Sequence, residues 1–294
     1  MPATRLLFCY DGSADAKLAV ERAAATFGPR PAVVVTVGEG EAHSLAADGA
    51  RLATAHGFAP VEPLALRPSQ PPWEMLVNAS AELGALAVVI GARGRSGVPS
   101  ALLGSVADHV VHHAWRPTLV VRETAAETAS GPAVIAYDGS EDAKSAIACA
   151  AELLGPRVVV VLSVWQHPHA ALAQSWVGLT ATPDLEELVG LAKEAAHTCA
   201  AEGVALAAAA GLHAEPLVRQ ANGPVWPAIL EVADELDVHV IVVGSRGLSG
   251  IKTVMLGSVS DAVLHHTRRP TLVVRHGARI DHPHVPTTDT AIIG

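Results

Sequence analysis

The feature that most constrains this chain is a duplication. Val88-Val89-Ile90-Gly91-Ala92-Arg93-Gly94-Arg95-Ser96-Gly97 leads on to Leu102-Leu103-Gly104-Ser105-Val106-Ala107-Asp108. The second copy reads Val242-Val243-Gly244-Ser245-Arg246-Gly247-Leu248-Ser249-Gly250, then Met255-Leu256-Gly257-Ser258-Val259-Ser260-Asp261. Both have the spacing G-x2-G-x9-G-S, and both continue through His-His to Arg-Pro-Thr-Leu-Val-Val-Arg. The pattern predicts, twice over, a buried strand, a glycine-rich loop and a Gly-Ser pair that opens a helix. We read the loop as a phosphate cradle and the chain as a nucleotide-binding module.

A second repeat lies upstream of the first. Leu6-Leu7-Phe8-Cys9-Tyr10-Asp11-Gly12-Ser13 returns as Ala133-Val134-Ile135-Ala136-Tyr137-Asp138-Gly139-Ser140. Each copy is followed by Asp-Ala-Lys (Asp15 to Lys17, Asp142 to Lys144) and an Ala-rich helical run, with Ser13 or Ser140 as the N-cap. The nearly all-apolar runs Ala32 to Val37 and Val158 to Val164 suit strands buried on both faces of a parallel sheet. Weaker strands are expected near Val61 to Leu66 and Ala214 to Arg219. They are followed by helices from Trp73 to Leu83 and Trp226 to Leu236, and by last strands at Thr118 to Arg122 and Thr271 to Arg275.

Strands alternating with helices give the class α/β: two doubly wound five-stranded parallel-sheet domains in tandem, flavodoxin- or Rossmann-like, in the order 3-2-1-4-5. The domains are placed at 1–124 and 125–276, with Glu123 to Gly131 as linker and 277–294 as a disordered tail rich in His, Pro and Thr. The halves differ in length. Asp11 to Gly91 spans 80 positions and Asp138 to Gly244 spans 106. The extra 26 lie between the second and third strands, where the second half carries Gln166 to Thr182 and a helix from Asp184 to Ala201. The first half has only a compact polar Gly/Ala stretch there, Gly38 to Gly57.

Composition narrows the function classes. A formal charge of -9 argues against nucleic-acid binding, which draws its affinity from Lys and Arg. No apolar run reaches the roughly 18 residues that span a bilayer, and the short Leu6 to Tyr10 run reads as a strand rather than a signal segment. Cys9, Cys149 and Cys199 show no metal or disulfide spacing, which suits reduced thiols in a cytoplasmic protein.

Glycines at Gly91, Gly94 and Gly104 permit close backbone approach and unusual torsions. Ser105 stands at a helix N-terminus, where free amides and the helix dipole attract anions. Gly244, Gly247, Gly257 and Ser258 repeat the arrangement. In the order 3-2-1-4-5, Asp11 and Gly91 flank one crevice at the strand ends, and Asp138 and Gly244 flank the other. One such spacing alone fits a tight turn that packs a helix equally well. Its duplication, each time paired with Asp-Gly-Ser, favours the cradle.

These residues resemble the universal stress protein family, in tandem form, over nearly everything from Arg5 to Arg275. G-x2-G-x9-G-[ST] is the signature of that family's ATP-binding branch. The resemblance implies ATP as ligand, with Asp11 and Asp138 at the adenine-ribose side and Val37 and Val164 bordering adenine. It places Gly91 and Gly244 near ribose. Gly94, Gly104 and Ser105 would hold phosphates, as would Gly247, Gly257 and Ser258, with Val106 and Val259 alongside. A divalent ion such as Mg2+, where present, would be held through phosphates and water, so no protein ligand is named. The resemblance further implies a stress-response or regulatory role and an intramolecular pseudo-dimer through the last strands, with association of two chains left open. A slow ATPase or autophosphorylating protein, and a scaffold binding another adenine nucleotide or none, stand as alternatives. The second half has Ala221-Asn222-Gly223 after its third strand, where the family often has a glycine. The first half reads Arg67-Pro68-Ser69-Gln70-Pro71-Pro72, so it is the half expected to bind weakly or differently.

Four other groups remain. His112-His113 and His265-His266 fall in the last turn of a helix, a favourable place for His, and neither they nor His167, His169, His282 and His284 have metal-ligand spacing. Trp73 and Trp226 are expected to pack at helix starts rather than stack on a base. Arg93 and Arg246 could touch phosphate or face solvent. Ser105 and Ser258 occupy positions that are sometimes phosphoacceptors in the family.

Overall fold

The computed structural model describes residues 5–95, 103–122, 131–167, 185–247 and 256–277. The first half runs β1 (Leu6–Cys9), α1 (Ala14–Phe27), β2 (Ala32–Val37), α2 (Ala42–Ala55), β3 (Val61–Leu66), α3 (Pro72–Glu82), β4 (Ala87–Gly91), α4 (Ser105–His113) and β5 (Thr118–Val121). The second runs β6 (Gly131–Ala136), α5 (Glu141–Leu154), β7 (Val158–Gln166), α6 (Leu185–Ala209), β8 (His213–Ala221), α7 (Val225–Glu235), β9 (Val238–Gly244), α8 (Ser258–His266) and β10 (Thr271–Val274). Positions 123–130 of the expected linker and 278–294 of the expected tail lie outside the described residues.

The strands form one ten-stranded sheet in the order β3-β2-β1-β4-β5-β10-β9-β6-β7-β8. Each half therefore has the expected 3-2-1-4-5 order with parallel pairing throughout. The halves meet where β5 runs antiparallel to β10, with Leu119 opposite Leu272 and Thr118 opposite Val273. Both leucines are fully buried, and burying such a side chain is worth roughly 1.5–3 kcal/mol.

Alternation along each strand explains the two cores. Leu6 and Phe8 face the side covered by α1, α2, α5 and α6, whereas Leu7 and Cys9 face α3, α4, α7 and α8. Each core runs unbroken from one half into the other, through Leu119 and Leu272 on one face and Val120 and Val273 on the opposite face. No helix among the described residues is long and apolar enough to cross a membrane.

The expectation of a compact polar stretch at Gly38 to Gly57 is corrected. Ala42–Ala55 is a 14-residue helix, buried at Ala42, Ala46, Gly49, Ala50 and Ala53. That spacing is helical, but the stripe is made of small residues. A Cβ on Gly49 would stand 2.8 Å from the Tyr10 ring and from Val34, so a larger side chain would hold the helix off the sheet. The second half repeats the contact with Gly203, whose Cβ would stand 2.9 Å from Tyr137. Helix α6 passes through that glycine and extends to Ala209, eight residues beyond the expected end at Ala201.

Candidate functional site

The site begins where β1 ends. After Tyr10 the chain turns through Gly12, whose φ of 81° is left-handed, as is that of Gly139. The Asp11 carboxylate accepts a hydrogen bond from the Ser13 amide (3.0 Å), and Asp138 accepts one from the Ser140 amide (3.0 Å). Ser13 and Ser140 then cap α1 and α5, accepting from the amides of Ala16 and Ala143 at 3.2 Å each. Their hydroxyls also donate to the Arg93 carbonyl (3.3 Å) and the Arg246 carbonyl (3.4 Å) in the glycine loops. In the first half the Arg95 amide donates to Asp11 Oδ2 (3.1 Å), a second stitch between the same segments.

The loop glycines are needed for space. None of Gly91, Gly94, Gly104, Gly244, Gly247 and Gly257 has positive φ, so the expected unusual torsions are absent there. A Cβ on Gly91 would stand 2.7 Å from the Ala16 amide nitrogen, and one on Gly244 would stand 2.8 Å from the Asp142 carbonyl carbon. Strand β4 or β9 thus touches the first turn of the neighbouring helix through a bare backbone. Cβ atoms on Gly94 and Gly247 would meet the carboxylates of Asp11 (2.9 Å) and Asp138 (2.7 Å).

The loop closes on itself at its far end. The Gly104 amide donates to the Ala92 carbonyl (2.8 Å), and the Gly257 amide donates to the Ser245 carbonyl (2.7 Å). Gly104 and Gly257 are the N-caps of α4 and α8, and neither end has a side-chain cap. Uncapped first-turn amides and the helix dipole make a positive pole there.

In the first half these parts enclose a cavity of about 260 Å3, and Asp11, Val37, Gly91, Gly94, Gly104, Ser105 and Val106 all line it. The matching cavity of the second half is about 150 Å3 and is lined by Asp138, Val164, Gly244, Gly247 and Val259, but not by Gly257 or Ser258. Its wall is built differently, with Leu162 where the first half has Val35 but Ala136 and Val243 where it has Cys9 and Ile90. The sequence reading points to the first half as the altered site. The cavity geometry points to the second.

Sequence reasoning missed the carboxylates that hold the loops. Asp15 is only 3% exposed and accepts from the Arg93 amide (2.9 Å) and from Arg93 Nε (3.3 Å). Asp142 accepts from the Arg246 amide (3.0 Å) and the Ser245 hydroxyl (2.5 Å), with Arg246 Nε at 3.7 Å. Arg93 and Arg246 are therefore drawn toward a buried carboxylate. The signal was present in the duplicated Asp-Ala-Lys after each Asp-Gly-Ser.

The aromatic and histidine pairs lie elsewhere. Trp73 packs on His109 and His113 (ring centroids 5.2 and 4.6 Å), and Trp226 stacks on His266 (4.5 Å). His112 and His265 stand 3.4 Å from Asp108 and Asp261, one helical turn back. Among the described residues, no group of three His, Cys, Asp or Glu could hold a metal ion. Cys9 lines the first cavity, and its thiol is pushed well above the ordinary range by burial and then by Asp11.

The chain is similar to universal stress proteins of Mycobacterium tuberculosis and Mycobacterium bovis, each 32% identical over 193 residues. The match takes in 64% of this chain and 61% of those relatives, so the chain spans about three fifths of their length. It is also 32% identical over 145 residues to universal stress protein YxiE of Bacillus subtilis, which is 48% of this chain and 97% of that relative. Among solved structures, a universal stress protein from Archaeoglobus fulgidus superposes with a TM-score of 0.59 at 20% identity, covering 93% of this chain and 98% of the other. The functionally unknown protein PA1789 from Pseudomonas aeruginosa does so with 0.63 at 18%, covering 94% of each chain. Those two likenesses concern the fold. A sequence model of the Universal stress protein family matches residues 2–122 and again residues 131–275, and the chain belongs to that family, carrying two such units in tandem.

Proposed function

We propose that the glycine loops cradle an adenine nucleotide, ATP, and that the protein is a nucleotide-dependent regulatory module of the stress response. One observation carries this reading. All seven residues expected from the first repeat line a single cavity at the carboxyl ends of β1 and β4, the switch point of that half-sheet. In this reading, phosphates lie against the backbone of Gly94 and Gly104 and the first turn of α4, with Ser105 adding a hydroxyl donor. Glycine at 104 lets the loop close tightly, since a Cβ there would stand 3.2 Å from the Ala92 carbonyl oxygen.

Ribose lies near Asp11 and Gly91, and adenine lies against Val37. Each Asp11 oxygen already accepts an amide hydrogen and keeps a lone pair for a ribose hydroxyl. A divalent ion would enter with the phosphates. The second half repeats the assignment at Asp138, Val164, Gly244, Gly247, Gly257, Ser258 and Val259, in a smaller cavity. The two halves act as a pseudo-dimer within one chain, joined at β5 and β10.

The test is to denature the purified full chain and identify the released nucleotide by chromatography. ATP or ADP in stoichiometric yield is expected. No nucleotide on release, together with no heat on titration at millimolar ATP, would defeat the reading.

A further inference from the structure

Two buried arginines cross the seam between the halves. Arg122, just after β5, is 8% exposed and donates from a terminal nitrogen to the Leu264 carbonyl of α8 at 2.8 Å. Arg275, just after β10, is also 8% exposed and donates to the His112 carbonyl of α4. Each arginine therefore satisfies a carbonyl in the last turn of the helix whose first turn forms the glycine loop of the other half. Such C-terminal carbonyls lack helical partners and favour a cation.

At its other end each arginine adjoins its own loop. The carbonyl of the residue before it accepts from the loop, Val121 from the Ala92 amide (2.6 Å) and Val274 from the Ser245 amide (2.6 Å). The next amide of each loop, that of Arg93 or Arg246, is held by Asp15 or Asp142. A continuous path thus runs from the first loop through Val121 and Arg122 into α8 and the second loop. Its mirror image runs from the second loop through Val274 and Arg275 into α4 and the first.

We propose that Arg122 and Arg275 are positioning residues that couple the two nucleotide sites across the β5–β10 seam. Each sets the placement of the helix N-terminus that the opposite site uses. Phosphate binding at one loop fixes its arginine pair, and that arginine holds the opposite helix in register. This rests on the nucleotide reading of the loops.

The experiment measures ATP affinity at the first-half site by calorimetry in a chain whose second site is disabled by Gly257→Asp. Arg275 lines no part of the first cavity, yet Arg275→Met is expected to weaken first-half binding by about threefold to tenfold. Arg275→Lys, which keeps the charge and one donor, is expected to restore most of that loss. A merely structural arginine would lower the melting temperature and leave the affinity of the folded protein unchanged. The mirror test reads second-half affinity after Arg122→Met in a Gly104→Asp chain. It stands in if Arg275→Met does not fold, with the same loss expected. Affinities within twofold of the parent chain in folded variants would overturn the positioning role, and the coupling that depends on it, without touching the nucleotide reading. An unsubstituted chain that binds no ATP would overturn the nucleotide reading and the coupling together.

Discussion

The two halves share a loop and differ in what surrounds it. Backbone stitches recur within about a tenth of an ångström: 3.0 and 3.0 Å at the Asp-Gly-Ser turn, and 2.8 and 2.7 Å where the loop closes. The cavities do not recur, at about 260 and 150 Å3. The loop is held by contacts among its own segments (Asp11, Ser13, Asp15 and their counterparts), so it survives changes in the walls. The walls come from β2, α3 and their counterparts, where Val35 gives way to Leu162 and Leu76 to Ile229. A preserved loop therefore does not imply an equal site.

The largest effect expected is loss of binding. Gly104→Asp crowds the loop closure at the Ala92 carbonyl and brings a carboxylate beside the phosphate position, and should weaken first-half ATP binding by about 100-fold or more. Gly257→Asp should do the same in the second half. If the cavities rank the sites, Gly104→Asp removes the tighter phase of the calorimetric isotherm and Gly257→Asp the weaker one. The reverse order would break the ranking.

Next come the carboxylates beneath the loops. Asp15→Ala and Asp142→Ala each strand a buried amide and a guanidinium, and each should cost about 2–3 kcal/mol in urea unfolding. Losses differing by more than about 1 kcal/mol would show that the loops are not equivalently held. Ser245→Ala should cost about 1 kcal/mol, because it removes a buried donor to Asp142. The first half already has alanine there, at Ala92.

The smallest effect separates the halves by pH. His239 Nδ1 in β9 donates to the Gly131 carbonyl (2.9 Å), and burial, ahead of Arg157, holds its pKa below the ordinary 6.5. Below pH 6.5 the unfolded chain takes up a proton that the folded chain resists, so stability contributed by neutral His239 falls as pH falls. The equivalent position in the first half is the buried Leu86. His239→Leu should flatten this part of the acid limb of stability against pH, and an unchanged limb would remove His239 as its cause.

Much of this was legible in the sequence, for particular reasons. Ala32 to Val37 is apolar except for Thr36 because both faces of the sheet are covered, and it reads as a strand without ambiguity. The Asp-Gly-Ser turn announces its own cap, and Ser13 and Ser140 fill that role. Helix α2 was hidden because its buried stripe is Ala and Gly, chosen to approach Tyr10 closely, so no large apolar period marks it. Asp15 and Asp142 look like ordinary acidic residues in a first helical turn, and only the fold brings them to a loop 78 or 104 positions away. The roles of Arg122 and Arg275 depend on the last strands of the two halves meeting, which no local pattern records.

The most direct measurement is a calorimetric titration of the full chain with ATP, beside a Gly104→Asp, Gly257→Asp double variant. Two binding phases of unequal affinity in the unsubstituted chain, both lost in a folded double variant, are predicted. A flat titration of the unsubstituted chain at millimolar ATP, or undiminished binding by the double variant, would contradict the claim that these loops are nucleotide cradles.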